Sequence, residues 1–263
     1  MTIPPLLFAL LMWFVGTAAV VWLDSRPRAT FRTSFTLAGL VAAGAAIAVW
    51  LRADDASSAG AYMGFAAAIL IWGWHEMGFL MGFVAGPNRA PMPAGTTGWR
   101  RFRLATATVI HHEIALAATA VVLFALTWGQ PNQAAPLTFL LLFAARLSAK
   151  LNLFLGVPNL SDEVFPAHLA YLKSYFAVRA FNPLFPLSIL LGSGVAAWSW
   201  ITAEASSGGG AVTATLIAGL AVLGVVEHLF LVLPMKDGAM WRWASNTATE
   251  VAPISGGEAR HGS

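Results

Sequence analysis

Seven stretches of about twenty predominantly apolar residues dominate the chain, each long enough to cross the ~30 Å hydrocarbon core of a bilayer as a helix. They fall at Pro4–Leu23, Ser34–Leu51, Ala61–Val84, Leu104–Trp128, Pro136–Leu155, Pro183–Ile201 and Ala211–Leu233. Hydrocarbon offers no water to an unpaired backbone N–H or C=O, so such segments must close their hydrogen bonds internally, as helices packed side by side. The expected fold class is all-α, a polytopic integral membrane bundle. Composition agrees: 58% of the 263 residues are hydrophobic and 10% charged, where a soluble domain carries about a quarter charged. The chain has no cysteine, which excludes disulfides, thiolate metal sites, cysteine nucleophiles and iron–sulfur clusters. Any metal would have to use His, Asp or Glu.

The basic residues set the expected orientation. With the N-terminus outside, Arg26, Arg28, Arg32, Arg89, Arg100, Arg101, Arg103, Lys173, Arg179, Lys236, Arg242 and Arg260 fall in cytoplasmic segments. Arg146 and Lys150 then lie in the cytoplasmic half of the fifth span, and only Arg52 is outside. Positive-inside sorting therefore predicts N-out, C-in. The net charge of +3 is scattered through short loops and forms no stripe or arm, so no nucleic-acid partner is expected. Met1–Leu23 has no basic leader and no small-residue cleavage site, which reads as a retained first span.

Residues 1–244 are expected to form a single transmembrane domain, and the polar tail 245–263 to be disordered. Two connecting segments exceed mere linkers. Ala85–Arg103 is rich in Pro and Gly. In 156–182, Phe165, Leu169, Leu172 and Phe176 recur at helical spacing after Pro166, predicting an amphipathic helix lying on the cytoplasmic membrane face. Ser206–Gly210 reads as an external turn. Gly78, Gly82 and Gly86, four apart, predict close helix contact. Trp13, Trp22, Trp50, Trp99, Trp128, Trp241 and Trp243 fall near span edges and read as interface anchors.

Against this apolar background stand His75-Glu76, His111-His112-Glu113 and Glu227-His228. An ionised side chain at mid-bilayer costs ~2.5–3.5 kcal/mol or more, so chains keep one where it is partnered or used. Counted from the expected span ends, Glu76, His112 and Glu227 lie ~12, ~12 and ~9 Å below the cytoplasmic edge, which predicts one shared pocket. Arg146 and Lys150, four apart on one helix face, are placed to neutralise two carboxylates. Asp162, Glu163 and His168 follow in the interfacial segment, placed to cap the site from below.

Three chemistries fit such a cluster. Glu76, Glu113, Glu227 and Glu163 with His112, His228 and either His75 or His168 could hold a di-metal centre of iron, manganese or zinc, suited to oxidoreductase chemistry on a lipophilic substrate. The Glu-x-x-His pairs of di-iron bundles are absent, however. Alternatively, His111 or His228, with Ala107 or Gly224 one turn before it, could ligate the magnesium of a tetrapyrrole such as a chlorophyll. The cluster could also be a polar network that fixes helix packing and binds nothing.

Longer strings carry a resemblance. Ile71 to Arg89 (IWGWHEMGFLMGFVAGPNR), Thr97 to Phe102 (TGWRRF), His112-Glu113, Arg146 to Asn159 (RLSAKLNLFLGVPN) and Pro166 to Phe176 (PAHLAYLKSYF) together resemble the PuhE family of photosynthetic complex assembly proteins. They span the central half of the chain, while the first two spans and the tail carry none of them. The resemblance implies a multi-pass protein of the bacterial inner (intracytoplasmic) membrane, encoded among photosynthesis genes of anoxygenic phototrophs. It also implies a role in building the reaction-centre and light-harvesting core or supplying bacteriochlorophyll to it, with core subunits or pigment-synthesis proteins as partners. It assigns no catalytic residue.

Overall fold

The structure is a computed structural model that describes residues 4–160 and 166–233. The tail 245–263 and the residues Asp162, Glu163, Phe165, Lys236, Trp241, Arg242, Trp243 and Arg260 lie outside the described residues. Seven α-helices follow one another: α1 (Pro5–Asp24), α2 (Phe31–Leu51, entered through a 3-10 turn at Arg28–Thr30), α3 (Ser58–Leu80), α4 (Gly98–Leu126), α5 (Ala134–Leu155), α6 (Leu184–Glu204) and α7 (Gly208–Phe230). All seven are long and apolar enough to cross a membrane, and no strand occurs among the described residues. The chain is an all-α, multi-pass membrane protein.

Helix α3 is the axis of the bundle and packs against α1, α2, α4, α5 and α7. Its first turns carry Gly60, Ala61, Gly64, Ala67 and Ala68, all buried. Lipid tails are as apolar as the side chains they would meet, so helices associate through close packing, and small residues bring backbones together. A methyl group on Gly64 would sit 3.0 Å from the Ala134 side chain of α5. One flank of α3 packs Phe65 and Ile69 against Ala9 of α1 and Leu216 and Leu220 of α7. The other packs Ala68 and Ile71 against Val49 of α2, Leu116 and Leu123 of α4, and Phe139 of α5. Helix α6 is the opposite case, with Ser199 its one buried residue; Leu190, Leu191 and Trp198 face outward.

Several helix ends differ from the sequence expectation. α3 stops at Leu80, short of Val84, because Gly82 takes φ +80° and turns the chain. α4 starts at Gly98, six residues before Leu104, so the Arg100–Arg103 cluster is helical. Gly208–Gly210 belong to α7, leaving a tighter turn than Ser206–Gly210. There Gly209 donates its N–H to the Ala56 carbonyl at a spacing that leaves no room for a side chain. Of the three glycines read as a contact stripe, Gly78 meets Phe35 of α2, Gly82 forms the turn, and Gly86 lies backbone to backbone against Ala107 and Thr108 of α4.

The segment 156–182 is not the amphipathic α-helix expected after Pro166. It forms a 3-10 helix, Ala167–Tyr175, whose buried residues Leu169, Leu172 and Tyr175 repeat every three, as a three-residue turn requires. Leu169 and Leu172 pack on Phe79 and Ala85, so the segment docks onto the protein. Its polar groups close helix ends, whose last carbonyls have no partner inside the helix. His168 Nε2 lies 2.7 Å from the Leu80 carbonyl of α3. Asn159 donates to the Phe230 and Leu233 carbonyls at the end of α7. Asn182 donates to the Gly156 carbonyl behind α5, and Arg101 reaches from α4 to the carbonyls of Phe154 and Tyr175.

Candidate functional site

Early termination of α3 and early initiation of α4 create the setting of the site. The chain that leaves α3 folds back between the helix ends: His112 donates its backbone N–H to Ala85 O, and Asn88 donates its own to Ala107 O. Asn88 also donates its side-chain amide to the Tyr175 hydroxyl, which donates in turn to Ala90 O. Together with the 3-10 helix, this loop closes the bundle beneath the last turn of α3. That turn carries Glu76, about 6 Å from the helix end at 1.5 Å per residue.

Glu76 is the hub. Its Oε2 accepts from Arg146 Nη2 of α5 at 3.0 Å, and its Oε1 faces His112 Nε2 of α4 at 3.6 Å. A second pair lies beside it, with Lys150 Nζ donating to Glu113 Oε1 at 2.5 Å. Phe79 separates the two, its ring 4.9 Å from that of His112 and 5.0 Å from the Lys150 ammonium, a cation–π distance. Two carboxylates and two cations from three helices thus balance formally, with His112 fully buried between them. In a medium of low dielectric this is the arrangement charges require, because an unpaired one would be expelled or neutralised.

Of the other expected residues that are described, the remaining histidines take other positions, while Glu227 stays coupled to the group through Arg146. His75, one residue before Glu76, turns to α4, where its Nε2 lies 2.9 Å from the Thr119 hydroxyl. His228 has both ring nitrogens engaged, Nδ1 with Gly224 O at 2.8 Å and Nε2 with the Ser148 hydroxyl at 2.9 Å. Glu227 is exposed on α7, within electrostatic reach of Arg146. His111 is exposed on α4. His168 caps α3, and Glu163 lies outside the described residues.

Helix α5 divides the polar layer in two. Arg146 and Lys150 point to α3 and α4, while Ser148 and Asn152 on the far face hydrogen-bond Ser188 of α6, and Ser148 meets His228 of α7. This second network was missed in the sequence, although Ser148 and Asn152 are themselves four apart within an apolar span, the same signal that singled out Arg146 and Lys150.

Chemically, the Glu76–His112 contact is where unused polar atoms collect. Glu76 Oε1, both His112 ring nitrogens, Glu113 Oε2 and Arg146 Nε are buried and make no hydrogen bond among the described residues. They provide acceptors and a donor for a small polar guest or a shared proton. As a metal site the donor set is short: among the described residues no three His, Asp or Glu converge where an ion could sit. Glu113 Oε1 is committed to Lys150, and Glu76 Oε2 to Arg146.

Comparison with known proteins adds the following. A family model described as DUF3623, protein of unknown function, matches residues 1–252, and so extends over the first two helices. A Rhodobacter capsulatus protein described as an uncharacterized 30.4 kDa protein in the puhA 5′ region is 37% identical over 242 residues, covering 90% of this chain and 88% of that protein. No solved structure matches.

Proposed function

The chain belongs to the DUF3623 family, and from that premise we propose that it is an inner-membrane factor for assembly of a bacterial photosynthetic reaction-centre and light-harvesting core. One observation carries the reading: the Rhodobacter capsulatus relative, aligned over nearly the full length of both chains, takes its description from the puhA 5′ region. The strings that resemble the PuhE family point the same way. They coincide with the structural centre of the molecule, namely the end of α3, the re-entrant loop, the Arg146–Asn159 stretch and the 3-10 helix.

In this reading the Glu76–Arg146 and Glu113–Lys150 pairs fix α3, α4 and α5 in one register, and the capped face presents a rigid surface to core subunits or pigment-synthesis proteins. In this reading that face is cytoplasmic, the side on which positive-inside sorting of the sequence places the basic connecting segments. The alternative, a metal-dependent oxidoreductase, draws no support from the donor geometry among the described residues.

The test is complementation. A Rhodobacter capsulatus strain lacking the relative is expected to show reduced near-infrared absorption of its core complex, restored by this chain. Unchanged core absorption on deletion would refute the assembly role.

A further inference from the structure

We propose that the slot between α5 and α6, at the end of the bundle away from Glu76, binds one phospholipid whose zwitterionic head carries an ammonium group. The site is separate from the Glu76 cluster and independent of the assembly role.

Near the Glu76 end, α5 and α6 are tied together by Ser188, whose hydroxyl lies 2.8 Å from that of Ser148 and accepts from the Asn152 amide at 3.0 Å. Beyond that tie the two helices part. A cavity of about 580 Å³ opens between them, with α7 as its floor, within the ~300–1,000 Å³ range of small-molecule sites. Leu137, Leu141 and Ala144 of α5, Val195 of α6 and Ile217 of α7 give it apolar walls. Leu140 and Trp198 line it too and remain exposed, so it is entered sideways, from the hydrocarbon. Polar groups collect toward one end, where Asp55, Ser57 and Gln133 stand at the turns that lead into α3 and α5. Below them Ser199, the one buried residue of α6, lines the cavity and makes no hydrogen bond among the described residues.

Length, volume and charge select the occupant. From Gln133 to Ala144 the α5 wall runs about 16 Å, the depth of one leaflet of a ~30 Å core. That length of α-helix, about 10 Å across, would take about 1,300 Å³, so a partner's helix does not fit where a flexible acyl chain does. At the mouth, Arg52 Nη1 and Asp55 Oδ2 lie 3.5 Å apart and both side chains reach solvent, a loose pair whose members can each take a second partner. A zwitterionic head matches it, with phosphate beside Arg52 and ammonium beside Asp55. Asp55 is the one charged residue lining the cavity among the described residues. A head with net negative charge would be opposed by it, and an uncharged head would leave the pair unused.

The experiment incubates the full-length protein, in mild detergent, with an equimolar mixture of phosphatidylethanolamine and phosphatidylglycerol and reads the retained lipid by native mass spectrometry. Retention of one lipid per chain is expected, with phosphatidylethanolamine favoured about threefold or more. Ala144→Trp and Thr202→Trp, both at exposed positions on the cavity walls, should each lower retention about tenfold. Val121→Trp, at an exposed position of α4 outside the cavity, should leave it unchanged. Asp55→Asn keeps an acceptor for the Ser57 N–H and should remove the preference between heads while a lipid is still retained. Equal retention by the wild type and both Trp-filled variants would overturn the proposal, as would a wild type that holds the two lipids equally or prefers the anionic one. Displacement of the bound lipid by an equimolar isoprenoid quinone would overturn it too. None of these outcomes bears on core absorption in the deletion strain, so the lipid site and the assembly role fail separately.

Discussion

Glu76 shows what one residue can commit a membrane helix to. Its carboxylate is nearly buried, bonded to Arg146 at 3.0 Å and facing His112 at 3.6 Å, so removing one partner strands the other in a poor solvent. Arg146→Met should lower stability by about 3–5 kcal/mol, the usual cost of orphaning a buried charge, measured as a lowered unfolding temperature in detergent. The double variant Arg146→Met, Glu76→Gln should recover much of that loss. Strictly additive losses would show that the two side chains do not act as a pair. Glu76 and His112 were legible in the sequence because charge in an apolar run is costly. Their destinations were not, because neighbours in sequence such as His75 and Glu76, or His111 and His112, point about 100° apart on a helix, one inward and one elsewhere.

At the scale of elements, α5 and the 3-10 helix organise the site. Polar residues four apart mark both working faces of α5. Arg146 with Lys150 and Ser148 with Asn152 were equally visible, but hydroxyls and amides stand out less against an apolar background than charges do. The spans were legible from hydropathy, whereas the ends of α3 and α4 were decided by the Gly82 turn and by the loop that bonds to α4 through Ala85 and Asn88, contacts no local pattern encodes. The 3-10 helix illustrates the same limit. Its apolar residues fit a period of 3.6 nearly as well as 3.0, and the choice was made by docking against Phe79 and Ala85. Burial, with Arg28 and Arg89 nearby, holds the His168 imidazole below its ordinary pKa even though its bond to Leu80 O opposes the shift. A group with a depressed pKa in the folded state favours that state above its unfolded value, near 6.5, and loses this contribution as pH falls through the folded value. The protection of the 167–175 backbone against hydrogen exchange, corrected for the intrinsic slowing of exchange in acid, should therefore fall on acidification below about pH 6.5 in the wild type, and His168→Gln should flatten that dependence. An identical acid response in both would separate His168 from the docking.

For the whole molecule, seven spans are assembled around α3 as a small-residue axis, closed on one side by a loop and a 3-10 helix, and cross-braced by two ion pairs. The brace joins α3, α4 and α5 at the level where the strings resembling an assembly family concentrate. The account therefore ties biological role to charge pairing between α4 and α5. The most direct measurement is near-infrared core absorption in membranes of a Rhodobacter capsulatus strain that lacks the relative and carries this chain with Glu113→Lys, Lys150→Glu, or both. Each single reversal should lower the absorption toward that of the deletion strain, and the double reversal should restore a substantial part of it. Wild-type absorption with either single variant, at matched protein levels, would contradict the account.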